Sequence, residues 1–361
     1  MKNIFNIFLL ALCSLLFASC GEESKPENPA TAGKSYALAI CEGLYGVNNS
    51  SLTIVDLDSG TSQANYFRAG GEITTLGDTA FDLYTKEDTA WVSVSTSKSI
   101  LKIKISTGEL LARLHIERES FPRQMAFASG ELAYCADLYD NSVFRFNPRT
   151  MQAIGEPYHS GPQPEGLALS NGKLFAVNSG YGDIGKDHPQ AGTVSVIDAA
   201  SGNLLKNFYV GPNAVEIAVD DNRGKLYVCY YNLPSKPDSL GGIVEYDLNT
   251  LEKLRETRVR ARSMKLHNGK VYFIEGNLNA SDGISYIDPS LGFDAHRALA
   301  NPYPKRDIWY GFEFFPKSGG LLVANAMNYQ MPGKLDRFDA SMTYIRSYPA
   351  GVNPSKIFIK E

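Results

Sequence analysis

Reactive side chains at fixed spacing are scarce in this sequence. The five histidines, His115, His159, His188, His267 and His296, never fall at a spacing that brings two of them onto one metal ion. There is no G-x-S-x-G nucleophile turn and no P-loop, and Gly70-Gly71 and Gly241-Gly242 read as turn glycines rather than phosphate cradles. Glu42, Asp137, Glu165 and Asn178 offer oxygen donors for a calcium or zinc ion, although the simpler reading makes each a loop cap. The expectation is therefore no catalytic residue, no resident metal and no cofactor. More informative is a set of aromatic, amide and basic residues in long polar stretches: Tyr45, Arg68, Arg123, Tyr139, Tyr181, Tyr231, Asn232, Arg262, Trp309, Tyr310, Asn328 and Tyr329, with Arg306 beside them. Any one tyrosine more often packs a loop than touches a ligand. If the set converges, it suits a large polar ligand that needs stacking surface, amide hydrogen bonds and cationic donors.

Convergence depends on the elements that carry these residues. The stretch from Glu165 to Gly211 reads as four strands: Gly166 to Ser170, a turn at Asn171-Gly172, Leu174 to Asn178, a long loop from Ser179 to Gly192, Thr193 to Ile197, a turn at Asp198, and Leu204 to Val210. The turn after the third strand recurs as Val55-Asp56, Ile103-Lys104, Phe146-Asn147, Ile197-Asp198, Tyr246-Asp247, Ile287-Asp288 and Phe338-Asp339, at intervals of roughly 41 to 51 residues. Asp or Asn at six of these anchors is explained by a side chain that closes the hairpin through its own backbone. Lys104 breaks the residue type but keeps the spacing.

Seven four-stranded antiparallel units in series imply an all-β chain folded as a single seven-bladed β-propeller over residues 35–361, strands A to D of each blade running outward from a central channel. The first copy starts at Tyr36 on a second strand, while Pro354 to Lys360 is a first strand with nothing after it, so the C-terminal strand is expected to close the first blade. Loops A–B and C–D are short. Loops B–C and D–A are long and carry the aromatic and amide set, so function is expected on that face. A net charge of -4 shows no basic face of the kind nucleic acid requires. Cys41, Cys135 and Cys229 show no metal spacing, and the last two occupy the same register of second strands, as small buried residues do.

Before the repeats, residues 1–19 read as an export signal: Lys2, then the apolar run Ile4 to Phe17, then Leu16-Phe-Ala-Ser-Cys20, a lipobox. Cys20 is the expected lipidation site, and residues 20–34, with Pro26 and Pro29, the tether. Glu22-Glu23 resembles the acidic surface-export signal of Bacteroidetes lipoproteins.

The opening Cys41-Glu-Gly-Leu-Tyr-Gly-Val-Asn-Asn-Ser-Ser-Leu52, followed by the Val55-Asp56 hairpin, resembles the start of Bacteroides surface lipoproteins related to the YncE-like propellers, with Cys41 in place of the usual Asn. That group includes BtuG-type cobalamin-binding lipoproteins, which sit over a TonB-dependent outer-membrane transporter. The resemblance implies a lipid-anchored protein on the cell surface that captures vitamin B12 or a related cobamide on its long-loop face and passes it to such a transporter. Two alternatives stay open: a lactonase-like hydrolase with a channel metal, and a structural surface-layer protein.

Overall fold

The computed structural model describes residues 34–277, 280–300 and 307–361. The export signal, Cys20, the tether up to residue 33 and Arg306 lie outside the described residues. What is described is all-β: seven blades, each a four-stranded antiparallel sheet in A-B-C-D order, the third with one further short strand beside its C strand. Strand A spans Pro354–Lys360 in blade 1, Ala80–Lys86 in blade 2, Pro122–Phe127 in blade 3, Pro164–Ser170 in blade 4, Ala214–Asp220 in blade 5, Ala261–His267 in blade 6 and Trp309–Phe314 in blade 7. Each packs against strand A of both neighbours, so the seven inner strands close a ring around the channel. In blade 1 the C-terminal strand pairs with Tyr36–Cys41, its strand B, as the sequence predicts.

Period-two side-chain alternation explains how a blade buries both faces. Within Tyr36–Cys41, Ala37, Ala39 and Cys41 enter a core shared with Leu322, Ala324 and Leu335 of blade 7, whereas Tyr36, Leu38 and Ile40 enter one shared with Val92 and Leu101 of blade 2. Strand D ends this pattern, and in Leu204–Tyr209 four of six residues are exposed. Cys41, Cys135 and Cys229 are buried and unbridged in strand B of three blades, which places Cys41 at the end of a strand rather than in the loop that follows.

The short-loop face is made of self-sufficient turns. One carboxylate or amide oxygen accepts from backbone N–H groups two and three residues on, as in Asp56 with Asp58 and Ser59 (3.0 and 2.8 Å), Asn147 with Arg149 and Thr150 (2.9 and 3.1 Å), and Asp247 with Asn249 and Thr250 (3.0 Å each). Asp198, Asp288 and Asp339 close their turns by bonds to Ser201, Ser290 and Ser341. Where Lys104 interrupts the series, Asp88 from the adjacent A–B turn supplies the missing acceptor, binding the Ser106 N–H at 2.7 Å and its hydroxyl at 2.6 Å.

Candidate ligand-binding site at the channel mouth

All seven A strands carry one extra residue relative to strand B near their start, at the end of the strand that meets the long loops. Such a bulge re-aims side chains out of the regular alternation. The shifted residues are Phe81, Arg123 and Gln124, Glu165 and Gly166, Val215, Ser263 and Met264, Tyr310, and Ser355 and Lys356. Several of them stitch the ring. Gln124 accepts from the Leu167 N–H at 3.3 Å, the Ser263 hydroxyl donates to the Tyr310 carbonyl at 2.7 Å, and Glu216, just past its bulge, accepts from the Ser263 N–H at 2.8 Å. Blades 4 and 5 have no room for a side chain between them: a Cβ on Gly166 would stand 2.5 Å from the Val215 carbonyl.

Arg123 is the best-held cation of this region. Only 7% exposed, it pairs with Glu165 of blade 4 at 2.9 Å and lies over the rings of Phe81 at 4.1 Å, Phe121 at 5.0 Å and Tyr181 at 5.9 Å. Its Nε is buried without a hydrogen-bond partner. Glu165 holds this guanidinium in place and offsets its charge, and the flanking rings keep it desolvated. Across the mouth, the Tyr310 hydroxyl of blade 7 donates to Glu42 of blade 1 at 3.1 Å. Burial pushes the Glu42 carboxyl up to about 7, against the opposing pull of Tyr310, Arg123, Lys356 and Ser355. The Glu42 charge in turn pushes the Tyr310 hydroxyl well above its ordinary value. Tyr310 meets Tyr329 edge-on at 5.5 Å, and the Tyr329 hydroxyl accepts from Arg262 of blade 6 at 3.4 Å. In blade 5 the Tyr231 hydroxyl donates to Glu216, and burial raises it far above the usual range for a phenol. Every blade thus contributes at least one ring or charge to the mouth.

The predicted residues divide accordingly. Arg123, Tyr181, Tyr231, Arg262, Tyr310 and Tyr329 come together. Tyr139, 48% exposed, leans on Phe121 with 4.6 Å between ring centroids and lies close enough to Tyr181, Tyr45 and Arg123 to feel them; Tyr45, 76% exposed, stands in the first B–C loop. Trp309 does not belong to the rim. It is 4% exposed, packed with Ile274, Phe312 and Phe338 between blades 6 and 7, because the bulge turns Tyr310 to the mouth and leaves its neighbour in the core. Arg68 is also misplaced by the sequence reading. The crossing from blade 1 to blade 2 dips away from the long loops, and the Arg68 N–H donates to Gly108 in the C–D turn of blade 2, on the short-loop face. Asn232 spends its amide on carbonyls of its own loop, Lys236 and Pro237, and Asn328 closes a turn on the N–H groups of Gln330 and Met331.

Of the four oxygen donors, Asp137 and Asn178 are fully buried clamps: Asp137 accepts from the Ser120 hydroxyl and the Phe121 N–H at 2.6 and 2.8 Å, and Asn178 from Ser160 and Gly161 at 2.7 and 2.9 Å. Each ties a D–A crossing to strand B. Among the described residues no three His, Cys, Asp or Glu side chains group closely enough to hold a metal ion. Phe81, Glu216 and Lys356 carry no expectation from the sequence, and Glu42 is expected there only as a metal donor or a loop cap. Their shared position near the start of strand A, or at the end of strand B, was the available signal.

No protein-family model matches the sequence, and no curated protein matches it significantly. Solved structures match in fold. Hydrazine synthase of Kuenenia stuttgartiensis aligns with a TM-score of 0.63 at 12% identity, over 79% of this chain and 91% of that one. A quinoprotein alcohol dehydrogenase-like protein from Bacteroides thetaiotaomicron VPI-5482 aligns with 0.62 at 13% identity, over 88% and 77%. The computationally designed Ika8 protein aligns with 0.55 at 14%, over 88% of each. At these identities the likeness shows a seven-bladed propeller similar to the Bacteroides protein in architecture, and nothing of function.

Proposed function

We propose that this chain is a lipid-anchored binding protein of the cell surface that captures a large polar nutrient carrying an anionic group, a cobamide being the best fit, at the channel mouth. The observation that carries the reading is Arg123, desolvated, ring-flanked and held in place by Glu165 beside a rim of tyrosines. A cobamide presents a broad disc fringed with amides and a phosphodiester. Tyr45, Tyr139 and Tyr181 supply exposed ring faces for the disc, and Arg123 supplies the complement to the phosphodiester. The lipobox ending at Cys20 supplies the anchor, and the resemblance of the first repeat to YncE-like surface lipoproteins supports hand-over to a TonB-dependent outer-membrane transporter. The hydrolase alternative has less support, since the buried clamps Asp137 and Asn178 have their oxygens occupied.

The test is co-elution of corrin absorbance with the purified protein across a panel of cobamides, repeated with Tyr181→Ala and Tyr310→Phe. Tyr181→Ala is expected to weaken binding by about 1 to 3 kcal/mol with little change in melting temperature. Absence of any co-eluting cobamide removes this ligand, and chelator-sensitive ester hydrolysis would replace the reading by the enzymatic one.

A further inference from the structure

On the opposite face, between blades 2 and 3, opens a cavity of about 290 Å³. Its floor is aromatic. Tyr84 and Phe127, from strand A of the two blades, stack 3.7 Å apart at 10°, and Trp91 stands tilted with its centroid 5.3 Å from Phe127. The indole N–H donates to the Pro148 carbonyl at 3.1 Å, which fixes the ring against the C–D turn of blade 3. Lys86, Lys102 and Arg149 complete the lining, and no Asp or Glu belongs to it. Arg149 is paired with Glu131 at 3.0 Å just outside the lining, which leaves Lys86 and Lys102 as the cations of the cavity. The Lys102 ammonium sits 5.8 Å over the Trp91 ring and donates to the Arg149 carbonyl at 3.1 Å. An ammonium has three N–H donors, so further donors remain for an incoming anion.

We propose that this cavity is a second binding site, separate from the channel mouth, for a small flat anion of the aromatic carboxylate class. The ring floor offers a planar body a stacking surface, and Lys102 with Lys86 selects a carboxylate at one edge. A space of about 290 Å³ holds a single-ring acid and excludes anything the size of a corrinoid. This inference does not rest on the reading of the channel mouth.

The probe is 4-hydroxybenzoate, titrated into the full chain by calorimetry and by quenching of tryptophan fluorescence, with acetate and benzyl alcohol as the charge-only and ring-only controls. Saturable binding is expected for 4-hydroxybenzoate, with each control weaker by about tenfold or more. Lys102→Met should reduce affinity by about tenfold, the loss expected when a charged hydrogen-bond partner is removed. Exposed Lys86→Ala, which leaves the fold intact, should reduce it less, and Tyr181→Ala at the other face should leave it unchanged. No saturable signal in the wild type, equal binding of acetate, or affinity untouched by both lysine substitutions would each overturn the proposal.

Discussion

Carboxylates do opposite things on the two faces of this propeller. At the C–D turns, Asp56, Asp198, Asp247, Asp288 and Asp339 find backbone donors within a few residues of themselves. At the channel mouth, Glu42, Glu165 and Glu216 find theirs on other blades: Tyr310, Arg123 and the backbone of Ser263. The first arrangement can form in a hairpin before the ring exists. The second requires neighbouring blades to pack, and for Glu42 with Tyr310, the first blade with the last, it requires ring closure. One face is therefore a set of independent turns, and the other is a product of the whole fold.

Breaking the ring should show this most strongly. Deleting residues 354–361 removes strand A of blade 1, including Ile357 and Ile359, each 6% exposed, and uncovers Ala37 and Ala39. Each isoleucine alone accounts for about 1.5 to 3 kcal/mol of burial. Adding the lost ladder of hydrogen bonds brings the expected loss to the whole stability of an ordinary domain, about 5 to 15 kcal/mol. Calorimetry should find no cooperative transition; a truncated chain that melts near the parent temperature would show that the mouth does not depend on closure.

Next in size is the contrast between adjacent residues in one strand. Trp309→Ala should cost about 3 to 5 kcal/mol of stability through the cavity it leaves, whereas Tyr310→Phe should leave the melting temperature nearly unchanged and act on ligand binding. Urea denaturation of the two variants separates them. Equal stabilities would mean that the bulge does not divide core from mouth.

That contrast also marks where the sequence was legible. Seven blades, the closing strand and the two kinds of face follow from turn anchors that recur with the chain, because each anchor is satisfied locally. The site was legible only in part. Tyr181, Tyr231 and Arg123 lie at the mouth where their loops suggest, but Trp309 lies in the core, because strict alternation in a sequence cannot locate a bulge. Arg68 lies away from the mouth, and a crossing between blades carries no sign of which way it dips. Asp88 escaped notice because its partner Ser106 lies on a different hairpin connection.

The exchange at Lys104 sharpens the idea of independent turns. Asp88→Ala should cost about 1 kcal/mol, lowering the melting temperature by about 2 °C in a chain of this size. Lys104→Asp in the same background should restore it, since the side chain would then sit where Asp56 and Asp247 sit in their own turns. Failure of that rescue would mean that the second blade's turn depends on the A–B connection for more than an acceptor.

The smallest effect separates the faces by sign. Hydrogen bonds from the turn, backbone N–H for Asp198 and Asp247 and serine hydroxyls for Asp288 and Asp339, hold these carboxyls below their ordinary value of 3.8. A carboxyl held low binds fewer protons in the folded chain than in the unfolded one, so its contribution is present above that value and fades as pH falls. Glu42 runs the other way. Raised by burial from 4.5 to about 7, it binds more protons when folded, so its favourable contribution is complete below 4.5 and is lost as pH rises through about 7. Glu42→Gln keeps the hydrogen-bonding shape and removes the titration, so its stability relative to the wild type should improve from pH 5 to pH 8 while the acid limb below pH 4 stays the same. Binding of an anionic ligand at the mouth should follow the same group, tighter at pH 6 than at pH 8 in the wild type and level in the variant, because an ionised Glu42 adds a negative charge to the mouth beside the Arg123–Glu165 pair. Denaturation curves of the two proteins that stay parallel across pH 5 to 8 would show that Glu42 is solvated like the turn carboxylates, and the contrast between the faces would then be one of geometry alone.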